Sequence, residues 1–92
     1  MQTIYKYPAA YTEEFSLALP KNAKILSVQV QWGEPKIWAL VDPEEPLLLR
    51  KFFFGSTEGS IPTSYTKDAL VFIGTIQLGA FVFHLFEVSN GL

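Results

Sequence analysis

The chain holds a single histidine, a single arginine and no cysteine, so only a few kinds of chemistry are open to it. His84 stands between Phe83 and Leu85 in an apolar run. A metal centre needs several converging His, Cys or carboxylate ligands, and a Ser-His-Asp triad needs an acid that orients the imidazole. Glu87 lies three positions on, and three positions along a strand put two side chains on opposite faces. His84 therefore reads as a side chain in or beside the core with one hydrogen bond satisfied. The stretch GSTEGS, Gly55 to Ser60, has the look of a phosphate loop but lacks the lysine that reaches the phosphates and the helix N-terminus that completes such a site. Asp42, Glu44 and Glu45 are close enough in sequence to suggest a hard cation, yet Pro43 and Pro46 stiffen the segment into a turn and no further oxygen ligand is spaced as a calcium loop needs. Arg50 beside Lys51 reads as one half of a surface ion pair. The residues assign no catalytic position, no metal ligand and no cofactor, and binding is the better-supported class of function.

Composition narrows that class. Ninety-two residues suit one domain over positions 1–92 with a thin core. Without cysteine it must fold on packing alone or on packing plus a partner subunit. Seven basic against nine acidic residues give a net charge of −2, and the basic residues are scattered along the sequence. A phosphate-tracking groove needs clustered positive charge, so nucleic acid is disfavoured as a partner. The opening MQTIYKYPAAYTEE has no apolar core and no small-residue cleavage pattern, which reads as no signal peptide and a cytoplasmic location.

The apolar run LVFIGTIQLGAFVFHLFEV, Leu70 to Val88, poses the main structural question, because about 20 apolar residues can span a membrane as a helix. Its polar interruptions and its many β-branched and aromatic residues fit a pleated sheet instead. Division at Gly79-Ala80 gives two strands, Leu70 to Leu78 and Phe81 to Val88, joined as a hairpin, with no membrane span. KILSVQVQW alternates Leu26, Val28, Val30 and Trp32 with Ser27, Gln29 and Gln31, the period of a half-buried strand. EEFSLALP turns Phe15, Leu17 and Leu19 inward and stops at Pro20. The turn WGEP leads into KIWALV as a second hairpin. DPEEP breaks the chain, LLLRKFFF resumes as a strand apolar on both faces, and TIYKY is a short one. IPTSYTKDA reads as a loop with at most a short turn capped by Ser64 or Thr66. About seven strands and no sustained helical period predict an all-β antiparallel sandwich or partly open barrel.

Fourteen aromatic residues, 15% of the chain, are many for one thin core. Phe52 and Phe54 face opposite to Phe53 in a strand, so either one large ring meets water or both faces of that strand are covered. Exposed aromatic surface marks interfaces, and Tyr and Trp are frequent anchors there. The residues at turns and loops that suit such contacts are Trp32 and Glu34 at one tip, Glu44 and Glu45 at another, and Tyr65 in the long loop.

TIYKY, the stretch LPKNAKILSVQVQWGEPKIWALVDPEEP and the closing IGTIQLGAFVFHLFEV together resemble a family of small uncharacterised proteins of bacteriophages and prophages. The resemblance spans the chain apart from about 47–66 and implies no activity, cofactor or catalytic residue. It implies a non-enzymatic protein that binds a host protein in the host cytoplasm by steric occlusion, with an anti-defence, anti-CRISPR-like inhibitor as its most specific form. Two other readings stand beside it. The chain is a homo-oligomeric structural or accessory protein that buries its strand edges against copies of itself, or a small-ligand-binding β domain with His84 at the mouth of a barrel.

Overall fold

The fold was analysed in a computed structural model, which describes residues 1–9 and 12–89. Alternation and turn chemistry place seven strands: β1 (Thr3–Pro8), β2 (Glu14–Pro20), β3 (Lys24–Gln31), β4 (Glu34–Val41), β5 (Leu47–Ser56), β6 (Leu70–Leu78) and β7 (Phe81–Val88), with one 3-10 turn at Lys67–Ala69. Thr66 stands in the N-cap position of that turn but makes no side-chain cap bond. The long apolar run is the β6–β7 hairpin, with Gly79 at φ +60 in its turn, a conformation that costs little without a Cβ. No helix among the described residues is long and apolar enough to cross a membrane.

The strands form two antiparallel sheets, β1-β4-β3 and β2-β5-β7-β6, packed face to face without closing into a barrel. Val28, Ile37, Ala39 and Val41 from the first sheet meet Leu19, Phe52, Phe54, Ile76 and Leu85 from the second. The Cα envelope measures 41 × 34 × 16 Å, the thinness of two layers about 10 Å apart. Contact between the sheets is tight where β3 meets β6, because a Cβ on Gly74 would lie 3.0 Å from Val28 Cγ1.

Two bulges set which residues face inward. In β3 the pairing with β4 runs Ile25 to Ala39 and then Ser27 to Trp38, so Leu26 is the extra residue and the phase flips across it. Ile25 and Val28 thus both face the core and Leu26 turns outward, while Val30, in phase with Val28, is exposed near the hairpin end and Trp32 lies in the turn beyond β3. Strict alternation would have put Leu26, Val28, Val30 and Trp32 on one buried face; Val28 alone of the four is buried. In β6 the shift falls between Phe72 and Gly74, leaving Phe72 exposed on the outer side and Gly74 against the core side.

Along Phe52 to Phe54 both faces of β5 are covered. Phe52 and Phe54 enter the core, and Phe53, although it points the other way, is only 1% exposed. Topology explains this, since β5 and β6 flank β7 and the connection between them has to cross the outer face of β7. On the way Thr57 N–H bonds the Val82 carbonyl, the Tyr65 ring packs edge-on at 5.3 Å over Phe53, and Ala69 is buried. The triple phenylalanine is therefore core on two sides, and the exposed large rings among the described residues lie elsewhere, at Tyr5, Trp32, Phe72 and Phe81.

Arg50 also departs from its expected place on the surface. It is in phase with Phe52 on the inward face, and Glu87 lies opposite Phe52 across the β5–β7 ladder. The guanidinium forks onto the carboxylate, Nε to Oε2 at 2.6 Å and Nη2 to Oε1 at 2.7 Å, and Nη1 donates to the Ala23 carbonyl in the turn that leads into β3. The pair closes one end of the sandwich half-buried, and the bidentate geometry is the strong form of such a contact.

Candidate interaction surface

The β3–β4 hairpin closes on Gln31-Trp32-Gly33-Glu34 with φ +52 at Trp32 and +80 at Gly33. Two consecutive positive φ values are the requirement of a type I′ turn, which strongly prefers Asn or Asp followed by Gly. Here the first position is tryptophan. A large L side chain in the left-handed region costs on the order of 1–2 kcal/mol, and it gains little packing in return because Trp32 is 89% exposed. Its visible compensation is Lys6, whose Nζ sits 5.5 Å from the ring centroid and donates to Gln31 Oε1 at 2.6 Å. Such strain concentrates at functional sites.

Trp32 overhangs the outer face of the three-stranded sheet. Residues directly opposite in an antiparallel ladder share a face, and the registers align Lys6, Trp38 and Ser27 in one row, Ile4, Leu40 and Lys24 in the next, and Pro8, Lys36 and Gln29 on the other side. Ile37 and Ala39, which alternate with these positions in β4, are fully buried, so the three rows look outward. Lys36 reaches Glu34 Oε1 at 3.2 Å at the tip. The surface thus offers a half-buried indole, an exposed one, three ammonium groups and the amides of Gln29 and Gln31.

The five residues proposed from the sequence as partner contacts fall in three places. Trp32 and Glu34 share the β3–β4 tip. Glu44 and Glu45 sit at the other end of β4, in a turn where Asp42 Oδ1 accepts from Glu44 N–H at 3.0 Å and Asp42 Oδ2 lies 3.7 Å from the N-terminal ammonium. Tyr65 lies in the loop over the outer face of the opposite sheet and is half-buried over Phe53, with Lys51 Nζ 5.4 Å from its ring; its hydroxyl is enclosed without a hydrogen-bond partner. The sequence reading missed Trp38, Lys6, Lys24 and Lys36, whose shared face arises from strand pairing and from the bulge at Leu26.

His84 lies on the outer side of β7, where Thr75 Oγ1 meets Nδ1 at 2.9 Å and Thr57 Oγ1 meets Nε2 at 2.7 Å. Both ring nitrogens are occupied by hydroxyls, so the imidazole ties the crossing loop to the sheet. Among the described residues no three His, Cys, Asp or Glu side chains gather as a metal site would require. The apolar pocket of about 100 Å³ between Pro35, Phe54, Ile76, Leu78 and Phe83 offers Thr12 and Glu13 as its polar lining and no nucleophile paired with a base.

The strained turn makes a stability prediction. Trp32→Asn should raise the unfolding free energy by about 1 kcal/mol, since asparagine tolerates the left-handed region and the exposed indole contributes little packing. Thermal unfolding should then show a Tm higher by roughly 4–8 °C.

No curated protein and no solved structure matches this chain. A family model does, over residues 1–91, and by that match the chain belongs to the family described as a domain of unknown function, DUF7352.

Proposed function

We propose that this domain is a non-enzymatic binding module that engages a protein partner through the Trp32 tip and the outer face of the β1-β4-β3 sheet. The observation that carries the reading is Trp32 itself, a large aromatic held almost fully in solvent at a backbone position that disfavours it. Selection for stability alone would place asparagine or glycine there, and interface anchors are drawn from Trp, Tyr and Arg. Trp38 and the polar side chains around it extend the anchor into a surface of mixed character, as interface cores and rims have. In its finer form the reading is a phage-borne inhibitor that occludes a host protein, including one of an antiviral defence system, and this form rests on the sequence resemblance.

The test is capture from bacterial lysate with tagged wild-type chain and with Trp32→Asn and Trp38→Ala variants. A host protein retained by the wild type and lost by at least tenfold with either variant is the expected result. Retention at full strength by both variants would overturn the assignment of this surface. Recovery of the chain alone would favour self-assembly, for which the 76% exposed Leu49 and the exposed Leu47 two positions before it on β5 supply an apolar strip.

A further inference from the structure

The charges at this face are arranged unlike those of the whole chain. Net charge is −2, yet Lys6, Lys24 and Lys36, half of the six lysines, project from the outer side of one sheet, in rows whose sole carboxylate is Glu34 at the tip. Glu34 is already engaged by Lys36. Trp38 and Leu40 lie on the central strand between Lys6 and Lys24 of the two edge strands, with Lys36 further along β4 and Ile4 beside Leu40 on β1, so the cations surround an apolar patch. Low-dielectric walls beside fixed charges of one sign strengthen the local potential and select partners of the opposite sign.

Resting on the reading above, we infer that the part of the partner seated here is an acidic protein segment, with carboxylates on Lys6, Lys24 and Lys36 and an aromatic or aliphatic side chain on Trp38. Geometry favours such a segment over a nucleic-acid strand. The face is about eight residues of strand long, on the order of 25 Å, and acidic groups bound it at both ends, Glu34 at the tip and Asp42, Glu44 and Glu45 beyond β4. A continuous polyanion running past either end meets like charge, whereas a short acidic segment ends before it does. Lysine also suits scattered carboxylates as a mobile point charge, while tracking of phosphates draws on clustered Lys and Arg, and the single Arg50 is committed to Glu87 inside the sandwich.

The chain's two tryptophans both lie at this face, so their emission reports directly on binding there. The probes are a short peptide alternating glutamate and phenylalanine, its counterpart with glutamine in place of glutamate, and an oligothymidylate of matching length. Each is titrated into wild-type chain and into the Lys6→Gln, Lys24→Gln, Lys36→Gln triple variant, with circular dichroism to show that the variant is folded. The acidic peptide should shift the emission of the wild type, and its affinity should fall about tenfold in the triple variant, the sum expected of a few partly exposed ion pairs. Equal binding of the acidic and glutamine peptides would overturn the inference. So would tighter binding of oligothymidylate. Lysate capture that survives the lysine changes but is lost with Trp32→Asn would overturn the acidic assignment while leaving the surface itself in place.

Discussion

Replacing Phe53 with alanine should lower the unfolding free energy by about 3–4 kcal/mol, the range for removal of a fully buried phenylalanine. The expectation comes from the loop, since without cover the outer face of β5 would be solvent and the same substitution would cost a fraction of that. Phe53 is 1% exposed because the chain from 57 to 69 crosses β7 and lays Tyr65 against it. Neighbouring contacts reinforce the cover, with Thr57 held to His84 and the Ser89 N–H to the Ala69 carbonyl at 2.7 Å. Denaturant unfolding, with the slope compared between wild type and variant, reads the effect. For a domain of this size the Tm should fall by on the order of 15 °C. A loss below about 1 kcal/mol would mean that the loop does not cover this face.

The second large effect concerns the ion pair. Glu87→Gln keeps shape but leaves the Arg50 guanidinium half-buried without its counter-charge, and stability should fall by about 2 kcal/mol. Removal of one partner from a fully buried pair costs roughly 3–5 kcal/mol, and the lower figure reflects side chains still 25% and 19% exposed. Hydrogen bonding to Glu87 raises the Arg50 pKa above its ordinary value, against the opposing effect of desolvation and with the help of the carboxylate's charge. A cation whose folded pKa is raised contributes its stability at every pH below the unfolded value and loses it only as pH climbs through the folded one. For arginine that lies in strong alkali, so the side chain stays charged and the penalty in Glu87→Gln should persist from neutral into mildly alkaline pH. The double variant Arg50→Met, Glu87→Leu should recover most of the loss, because apolar replacement of both partners removes the desolvation cost together with the attraction. A double variant as unstable as the single one would show that the Arg50 bond to the Ala23 carbonyl, rather than the ion pair, holds this end of the sandwich.

How much of this was legible in the residues depended on how local each signal is. The β6–β7 hairpin was readable to its end residues because Gly79 marks the turn and the flanking runs are β-branched and aromatic. β2, β3 and β4 were readable from alternation and β5 from an apolar run, but about seven strands allowed either a sandwich or a partly open barrel, a choice set by long-range pairing into two separate sheets. The bulges at Leu26 and Ile73 were not readable, since an extra residue leaves composition untouched while it inverts the phase of every later residue in the strand. That is why Ile25 is inside and Leu26 outside. The Arg50–Glu87 pair joins residues 37 positions apart, and only the β5–β7 register brings them together, although a lone charge in phase with Phe52 and another in phase with Leu85 were the available hint. Of the proposed contacts, Trp32 and Glu34 share a tip because they share a turn. Glu44, Glu45 and Tyr65 were chosen for residue type and for standing in a turn or loop, and the fold carries them to other sides of the molecule. The lysine-rich face escaped a reading by linear clustering because its three cations come from three strands, adjacent only after pairing.

The claim that organises these observations is that Trp32 is kept for contact at a cost in stability. The most direct measurement is the capture of a protein partner from bacterial lysate by the Trp32→Asn variant, made on material whose Tm has been determined beside the wild type. The expected variant melts higher and has lost its partner. A variant that melts lower, or one that retains its partner undiminished, would contradict the claim.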